Sequence, residues 1–161
     1  SGLFEHIRST DIMELFGIAK FERFFRLAAS LDVDKNDVRR FDEFVNDKIY
    51  DLLLRGVANA KANARDVIEP QDLPITKGLQ ESIEAFEAID EEVSLDAILE
   101  HLTRRPPLDV VYSDETEERL PQIAGGLGVA LARTFRILDE KVKNPQTQHW
   151  DKATRVFDLL L

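Results

Sequence analysis

The stretch from Asp37 to Arg65, DVRRFDEFVNDKIYDLLLRGVANAKANAR, decides the fold. Val38, Phe41, Val45, Ile49, Leu52, Leu53, Val57, Ala60 and Ala64 step by three and four, the repeat that lays an apolar stripe along one side of an α-helix. A half-buried strand would alternate at every second residue, and this segment does not. Leu31-Asp-Val-Asp-Lys-Asn36, just before it, is a loop rich in side chains that cap helices. At 1.5 Å per residue the predicted helix spans roughly 43 Å. One short neighbour cannot cover so long a stripe, so the cover must come from elsewhere in the chain.

Upstream, Phe21, Phe24, Phe25, Leu27 and Ala28 predict a short helix with an aromatic face. Phe4, Ile7, Ile12, Leu15 and Phe16 predict another short amphipathic helix before it. Downstream, Val67-Ile-Glu-Pro70 is an extended stop, since the residue before a proline avoids the α region. Asp72 to Ile89 reads as the next helix, with Pro74 tolerated in its first turn and Ile75, Leu79, Ile83, Phe86 and Ile89 as its buried stripe. Asp90-Glu-Glu92 then leads into a second half. Ser94 to Leu102 is a short helix, and Arg104 to Tyr112 a proline-bearing loop. Ser113, followed by Asp114 and Glu115, caps a long helix running to about Lys143. A last helix from Thr147 to Leu161 carries Trp150, Val156, Phe157 and Leu160. The order is short, long, short, twice over: a repeat of architecture without an obvious repeat of sequence.

Composition sets the class. In 161 residues, 43% are hydrophobic and 32% charged, a globular balance. The expectation is a soluble, all-α, cytoplasmic chain, because no apolar run nears the ~18 residues of a bilayer span and no secretion signal opens it. With no cysteine, disulfides, thiolate nucleophiles and cysteine-bound zinc are excluded. The net charge of −10 repels phosphate backbones unless cations gather on one face, and no third of the chain is basic.

A long helix between two short ones is the pattern of the histone fold, and the residues after the first long helix sharpen the likeness. Arg65 stands seven positions before Asp72, the spacing at which histones clamp their second loop. The pair also makes sense alone, a cation at one helix C-terminus facing an anion at the next N-terminus, with bidentate geometry available. From Lys20 to Leu161, nine tenths of the chain, the sequence resembles a prokaryotic family with two histone folds in tandem, related to archaeal histones. Phe21-Glu-Arg-Phe-Phe-Arg, Leu31-Asp-Val-Asp-Lys-Asn-Asp, Asp72-Leu-Pro-Ile-Thr-Lys-Gly-Leu-Gln and Asn144-Pro-Gln-Thr carry the resemblance. It implies an intramolecular pseudodimer: an N-terminal extension at 1–19, one histone fold at 20–92 and a second at 93–161, forming one compact unit. The second half has no arginine seven residues before an aspartate across its last loop.

Candidate sites are few. Asp32, Asp34, Asn36 and Glu43 mimic part of a calcium loop, but Asp37 stands where that loop needs glycine, so helix capping is the reading. Gly125-Gly-Leu-Gly128 lacks the strand and spacing of a nucleotide loop. With Gly56 and Ala124, these glycines are expected where two long helices cross closely. His6, His101 and His149 are scattered and lack metal-site spacing, Glu81, Glu84 and Glu87 form a solvated face, and Lys77 has no phosphate cradle. Neither cofactor nor metal is expected. Lys35, Arg39, Arg40, Arg104 and Arg105 are the possible nucleic-acid contacts, diluted by neighbouring acids. The sequence therefore points to a non-catalytic protein-interaction or assembly module with a protein partner or self-association and no membrane; the competing reading is a nucleoid-associated, histone-like DNA binder.

Overall fold

A computed structural model describes residues 17–103 and 109–161, which form six α-helices and no strand. The N-terminal helix expected over Phe4 to Phe16, His6, and Arg104 and Arg105 lie outside the described residues. Helix α1 spans Ile18–Ala29, α2 Lys35–Ala62, α3 Lys77–Val93, α4 Asp96–Thr103, α5 Asp114–Leu138 and α6 Thr147–Leu160. The long helix α2 begins two residues before its expected start because Asp34 caps it: its carboxylate accepts the Asp37 N–H, while the Asp37 carboxylate accepts the Asp34 N–H.

Two boundaries differ by five residues from the sequence reading. Helix α3 starts at Lys77 rather than Asp72; Pro70–Asp72 is a single 3-10 turn, Leu73 is extended, and the Thr76 hydroxyl accepts the Leu79 N–H as the true cap. Helix α5 stops at Leu138 rather than near Lys143, because the Asp139 carboxylate accepts the Lys141 N–H and turns the chain locally. At the start of α5, Ser113 caps as expected, accepting the Thr116 N–H.

Helix α5 is the centre of the packing and touches all five other helices. Its partner over the longest stretch is α3, not the other long helix. Three glycines make this approach possible. A Cβ on Gly125 would overlap the Phe86 ring of α3, and one on Gly126 would come within 3.0 Å of the Ile83 backbone. One on Gly128 would press on Phe24 of α1 and Phe41 of α2, at 3.0 Å each. Gly128 therefore stands where the long helices approach, and Ala124 beside it is fully buried. Gly56 stands elsewhere: it makes room for Ile68 and Leu73 of the following loop. None of these glycines has a positive φ, so space rather than backbone freedom explains them.

The last helix of each half covers the long helix of the other. α3 lies along α5, while α6, which also touches α5, meets α2 through side chains: the Phe44 and Phe157 rings stand edge to face at 4.9 Å, Lys48 bonds Asp158 and the Trp150 indole N–H donates to Asp37. Phe21, Phe24 and Phe25 of α1 fill the space between, Phe24 meeting the Phe86 ring at 5.9 Å and Phe25 the Phe41 ring at 5.5 Å. All three are buried in one continuous core.

Gly126→Ala should lower stability by about 1–3 kcal/mol, because the new methyl meets the Ile83 side chain at 2.5 Å and the Ile83 backbone, which cannot swing away, at 3.0 Å. That loss would outweigh the ~1 kcal/mol gained in helix propensity. Gly78→Ala, in the first turn of α3 with nothing within 4 Å, should instead gain about 0.5–1 kcal/mol. Urea unfolding of the two variants checks both signs; equal effects would refute the close approach.

Candidate functional site at the two loop ends

The chain reversals place one loop of each half beside one loop of the other, at both ends of the long helices. At the Ile68 end the segments pair as a short parallel bridge between Ile68 and Tyr112. The Ile68 N–H donates to Val111 O at 3.0 Å and the Ser113 N–H donates to Ile68 O at 3.0 Å. The buried Thr116 hydroxyl donates to the same Ile68 carbonyl at 2.8 Å, tying the start of α5 to a loop of the first half.

Arg65 and Asp72 lock this end. The guanidinium donates to both carboxylate oxygens, at 2.5 and 2.6 Å, and Asp72 also accepts the Glu69 N–H at 2.8 Å. Asn59 donates to the Asp72 carbonyl at 2.7 Å. Asp72 is only 3% exposed, so the fork beside it replaces the water it has lost. Arg65 holds the Asp72 carboxyl below its ordinary 3.8, while Asp72 raises the Arg65 guanidinium.

The Lys143 end is locked by different chemistry. The Asp32 N–H donates to Lys143 O at 2.7 Å. Arg136, in the last turn of α5, donates to Ala29 O at 2.8 Å and Ser30 O at 3.1 Å in the first half. It also donates to Glu140 O at 2.8 Å and Val142 O at 2.7 Å in its own loop. His149 Nδ1 accepts the Gln146 N–H at 2.8 Å, which leaves Nε2 to donate to Asp139 at 3.0 Å. That bond from His149 pulls the Asp139 carboxyl below its ordinary value. The indole N–H of Trp150 donates to Asp37 at 2.9 Å, and the ring stands edge-on to Phe135 at 5.0 Å. Burial pushes the Asp37 carboxyl up, with the Asp34 N–H and Trp150 bonds opposing it.

Sequence reading passed over Arg136 and Asp139 and weighed His149 only as a metal ligand. It looked for an arginine seven residues before an aspartate, whereas here the acid ends the long helix and the base sits on the next one. Their spacing, ten residues rather than seven, gave no recognisable signal. Of the cations considered for nucleic acid, Lys35 and Arg39 are exposed at this end, and Arg40 donates to Thr147 at 3.0 Å. The loop pairing brings Lys141 and Lys143 to the same end. The calcium-like acids do other work, Asp34 capping α2 and Asp32 facing Arg26 at 3.8 Å. Among the described residues no three His, Asp or Glu side chains gather as a metal site.

Between α2 and α6 lies a cleft of about 560 Å³ lined by Arg40, Glu43, Asp47, Lys48, Asp51 and Asp158, among others. Lys48 is only 2% exposed on its floor, 3.1 Å from Asp51 and bonded to Asp158. Burial alone would lower its ammonium, but the two carboxylates outweigh burial and raise it. A lysine paired this way cross-links α2 to α6.

Depressed carboxyls at both ends set an acid limit. Their contribution is complete above the ordinary value of 3.8 and is lost as pH falls through the lower folded values. Asp72→Asn should melt earlier than the unaltered chain at pH 7, and the gap should close below about pH 4 as the native carboxyl also protonates. Calorimetry across this range checks it; a constant gap would mean that the charge of Asp72 contributes nothing.

The geometry can be set beside known proteins. Two Aquifex aeolicus (strain VF5) proteins described as uncharacterized are similar in sequence. One is 28% identical over 111 residues, 69% of this chain, which spans 65% of that relative's length. The other is 30% identical over 139 residues, covering 78% of this chain and 79% of the relative. A crystal structure of a Thermus thermophilus protein is 50% identical, with a TM-score of 0.77 over 89% of this chain and 97% of that one. An Aquifex aeolicus crystal structure shares the fold alone, at 23% identity and a TM-score of 0.77 over 90% and 95% of the two chains. No helix among the described residues is long and apolar enough to cross a membrane. Residues 21–158 match the family described as a domain of unknown function, DUF1931, and the chain belongs to that family.

Proposed function

We propose that the chain is two histone folds in tandem, residues 20–92 and 93–161, folded as an intramolecular pseudodimer that acts as a non-catalytic protein-interaction and assembly module. The observation that carries this reading is the exchange: α3 covers α5, α6 covers α2, and each end pairs one loop from each half. Two histone halves clasped head to tail would need that arrangement, because neither can bury its long apolar stripe alone. Joining them in one chain supplies the partner at high effective concentration.

Support for a non-catalytic role comes from the titratable groups. Asp37, Lys48, Arg65, Asp72 and Asp139, all shifted from their ordinary values, are engaged in caps and in pairs between helices. Such networks perturb carboxyls and amines for structural reasons. Support for protein over nucleic acid as the partner comes from charge. The chain carries −10, and the cations at the Lys143 end are interleaved with Asp32, Asp34 and Glu140.

Two measurements test the reading. Residues 20–92 expressed alone should fail to melt cooperatively as a monomer and should recover a cooperative transition when mixed with residues 93–161. A monomeric half as stable as the intact chain would end the pseudodimer. Duplex DNA titrated with the full chain should show no binding that weakens steeply between about 50 and 200 mM salt. A steep slope would replace the protein-partner reading with the DNA-binding one.

A further inference from the structure

His149 sits in the first turn of α6 with both ring nitrogens in use, and the residue is only 8% exposed. A backbone N–H can only donate. The Gln146 N–H at 2.8 Å therefore fixes Nδ1 as a bare acceptor and leaves the single ring proton on Nε2, toward Asp139 at 3.0 Å. A second proton has one place to go, Nδ1, where it would meet the Gln146 N–H donor to donor. The bond to Asp139 survives that change, and the bond to Gln146 does not.

The same turn is held to the rest of the fold by three further contacts. Arg40 of α2 donates to the Thr147 hydroxyl at 3.0 Å, the Trp150 indole donates to Asp37 at 2.9 Å, and its ring meets Phe135 at 5.0 Å. Trp150 follows His149 directly, so a displacement of one ring is passed to the other. Thr147 and Trp150 also line the 560 Å³ cleft between α2 and α6.

The charged groups on the elements that meet here leave Asp139 as the counter-charge of the ring. Arg136 of α5 donates to four carbonyls. On α2, Asp34 and Asp37 accept each other's N–H and Arg40 serves Thr147. Asp32 and Lys35 around the start of α2, Glu140, Lys141 and Lys143 after α5, and Asp151 and Lys152 on α6 are exposed to water. Asp139 itself is ionised, the bond from His149 holding its carboxyl below the ordinary value. At 44% exposed it attracts an imidazolium only weakly, so its pull does not make up for the lost bond at the N-cap.

We propose that His149 is an acid-released latch: a proton on Nδ1 uncaps α6, frees its first turn from α2 and widens the cleft between the two helices. Imidazole is the side chain that changes charge between about pH 5 and 8. The latch thus opens where the Asp72 carboxyl, held below its ordinary value by Arg65, is still ionised and the Ile68 end stays locked. The opening is local, since the Phe44–Phe157 and Lys48–Asp158 contacts farther along α6 take no part in it.

Trp150 is the sole tryptophan of the chain and reports on the turn directly. Its emission should shift to longer wavelength in one step between about pH 7 and 5, while far-UV circular dichroism keeps its helical signal. Exchange of the Gln146 amide, corrected for the pH dependence of the exchange chemistry, should speed up about fivefold across that step. In His149→Asn the amide oxygen stands in for Nδ1 as acceptor and takes up no proton in this range, so the step should vanish. Asp139→Asn removes the counter-charge of the imidazolium, and the step should move to lower pH. Emission that stays flat, a step that persists in His149→Asn, or a step shared with general loss of helix would each overturn the proposal. Persistence in His149→Asn would assign the change to the Asp37 carboxyl, which burial raises. Should His149→Asn fail to fold, the unaltered chain decides alone: a Gln146 amide that exchanges no faster across the range ends the proposal.

Discussion

Neither long helix is covered by its sequence neighbours alone: α5 rests also on α4 and α6, but its longest contact is with α3 of the other half. The stripe of α2 is closed by α6 and by the crossing of α5, and α5 is closed by α3. Burying one large apolar side chain is worth about 1.5–3 kcal/mol. Removing either half would thus expose several such residues at once, among them Phe44, Phe86, Phe135 and Phe157. The small residues follow from the same constraint. A helix that must lie against Phe86 and the Ile83 backbone has no room for a Cβ at Gly125 or Gly126. The helix-propensity cost of glycine in mid-helix is accepted because the alternative is to hold two helices apart along their whole contact.

With the helices exchanged, each end needs a device that fixes where the chain turns back. The Ile68 end pairs its loops as a parallel bridge and the Lys143 end joins them by the Asp32 N–H on Lys143 O, and both add a charged side chain that satisfies several polar groups together. At the Ile68 end the charge order runs from arginine on the long helix to aspartate on the next turn. At the Lys143 end it is inverted, from Asp139 at the end of the long helix to His149 on α6, and Arg136 adds donors to four carbonyls. Among the described residues every buried side-chain nitrogen and oxygen has a partner. A turn rich in buried polar groups is tolerated only under that condition. Trp150 and Lys48 extend the same logic along α6, Trp150 reaching a carboxylate on α2 and Lys48 one on α6.

What could be read in the sequence was local. The three- and four-residue steps marked α2, Ser113 and Asp34 marked their caps, and Arg65 with Asp72 marked a pair whose bond lies within seven residues. What could not be read was which surface covers which. Periodicity shows that Gly125 lies on a buried face but not that Phe86 rather than α2 fills it, and Gly56 was drawn to the wrong neighbour for the same reason. Helix ends failed where local side chains override apolar spacing. Val142 continues the stripe of Phe135 and Leu138, yet Asp139 turns the chain first. The candidate surfaces were half legible: Lys35 and Arg39 were visible as loop cations, while their company of Lys141 and Lys143 depends on a contact between residues more than 100 positions apart.

Two identical chains clasped about a two-fold axis have identical ends, because symmetry copies every residue of one onto the other. Joining the halves in one chain removes that restriction. Each end here still needs its loops paired, but the lock can differ, and so can the charges around it. Two different locks at the two ends are what a covalent link between unlike halves permits. A symmetric pair can offer only matching faces at its two ends. This chain closes one end with Arg65 on Asp72 and the other with His149 on Asp139 and Arg136 on four carbonyls, two devices that a symmetric pair could not hold apart.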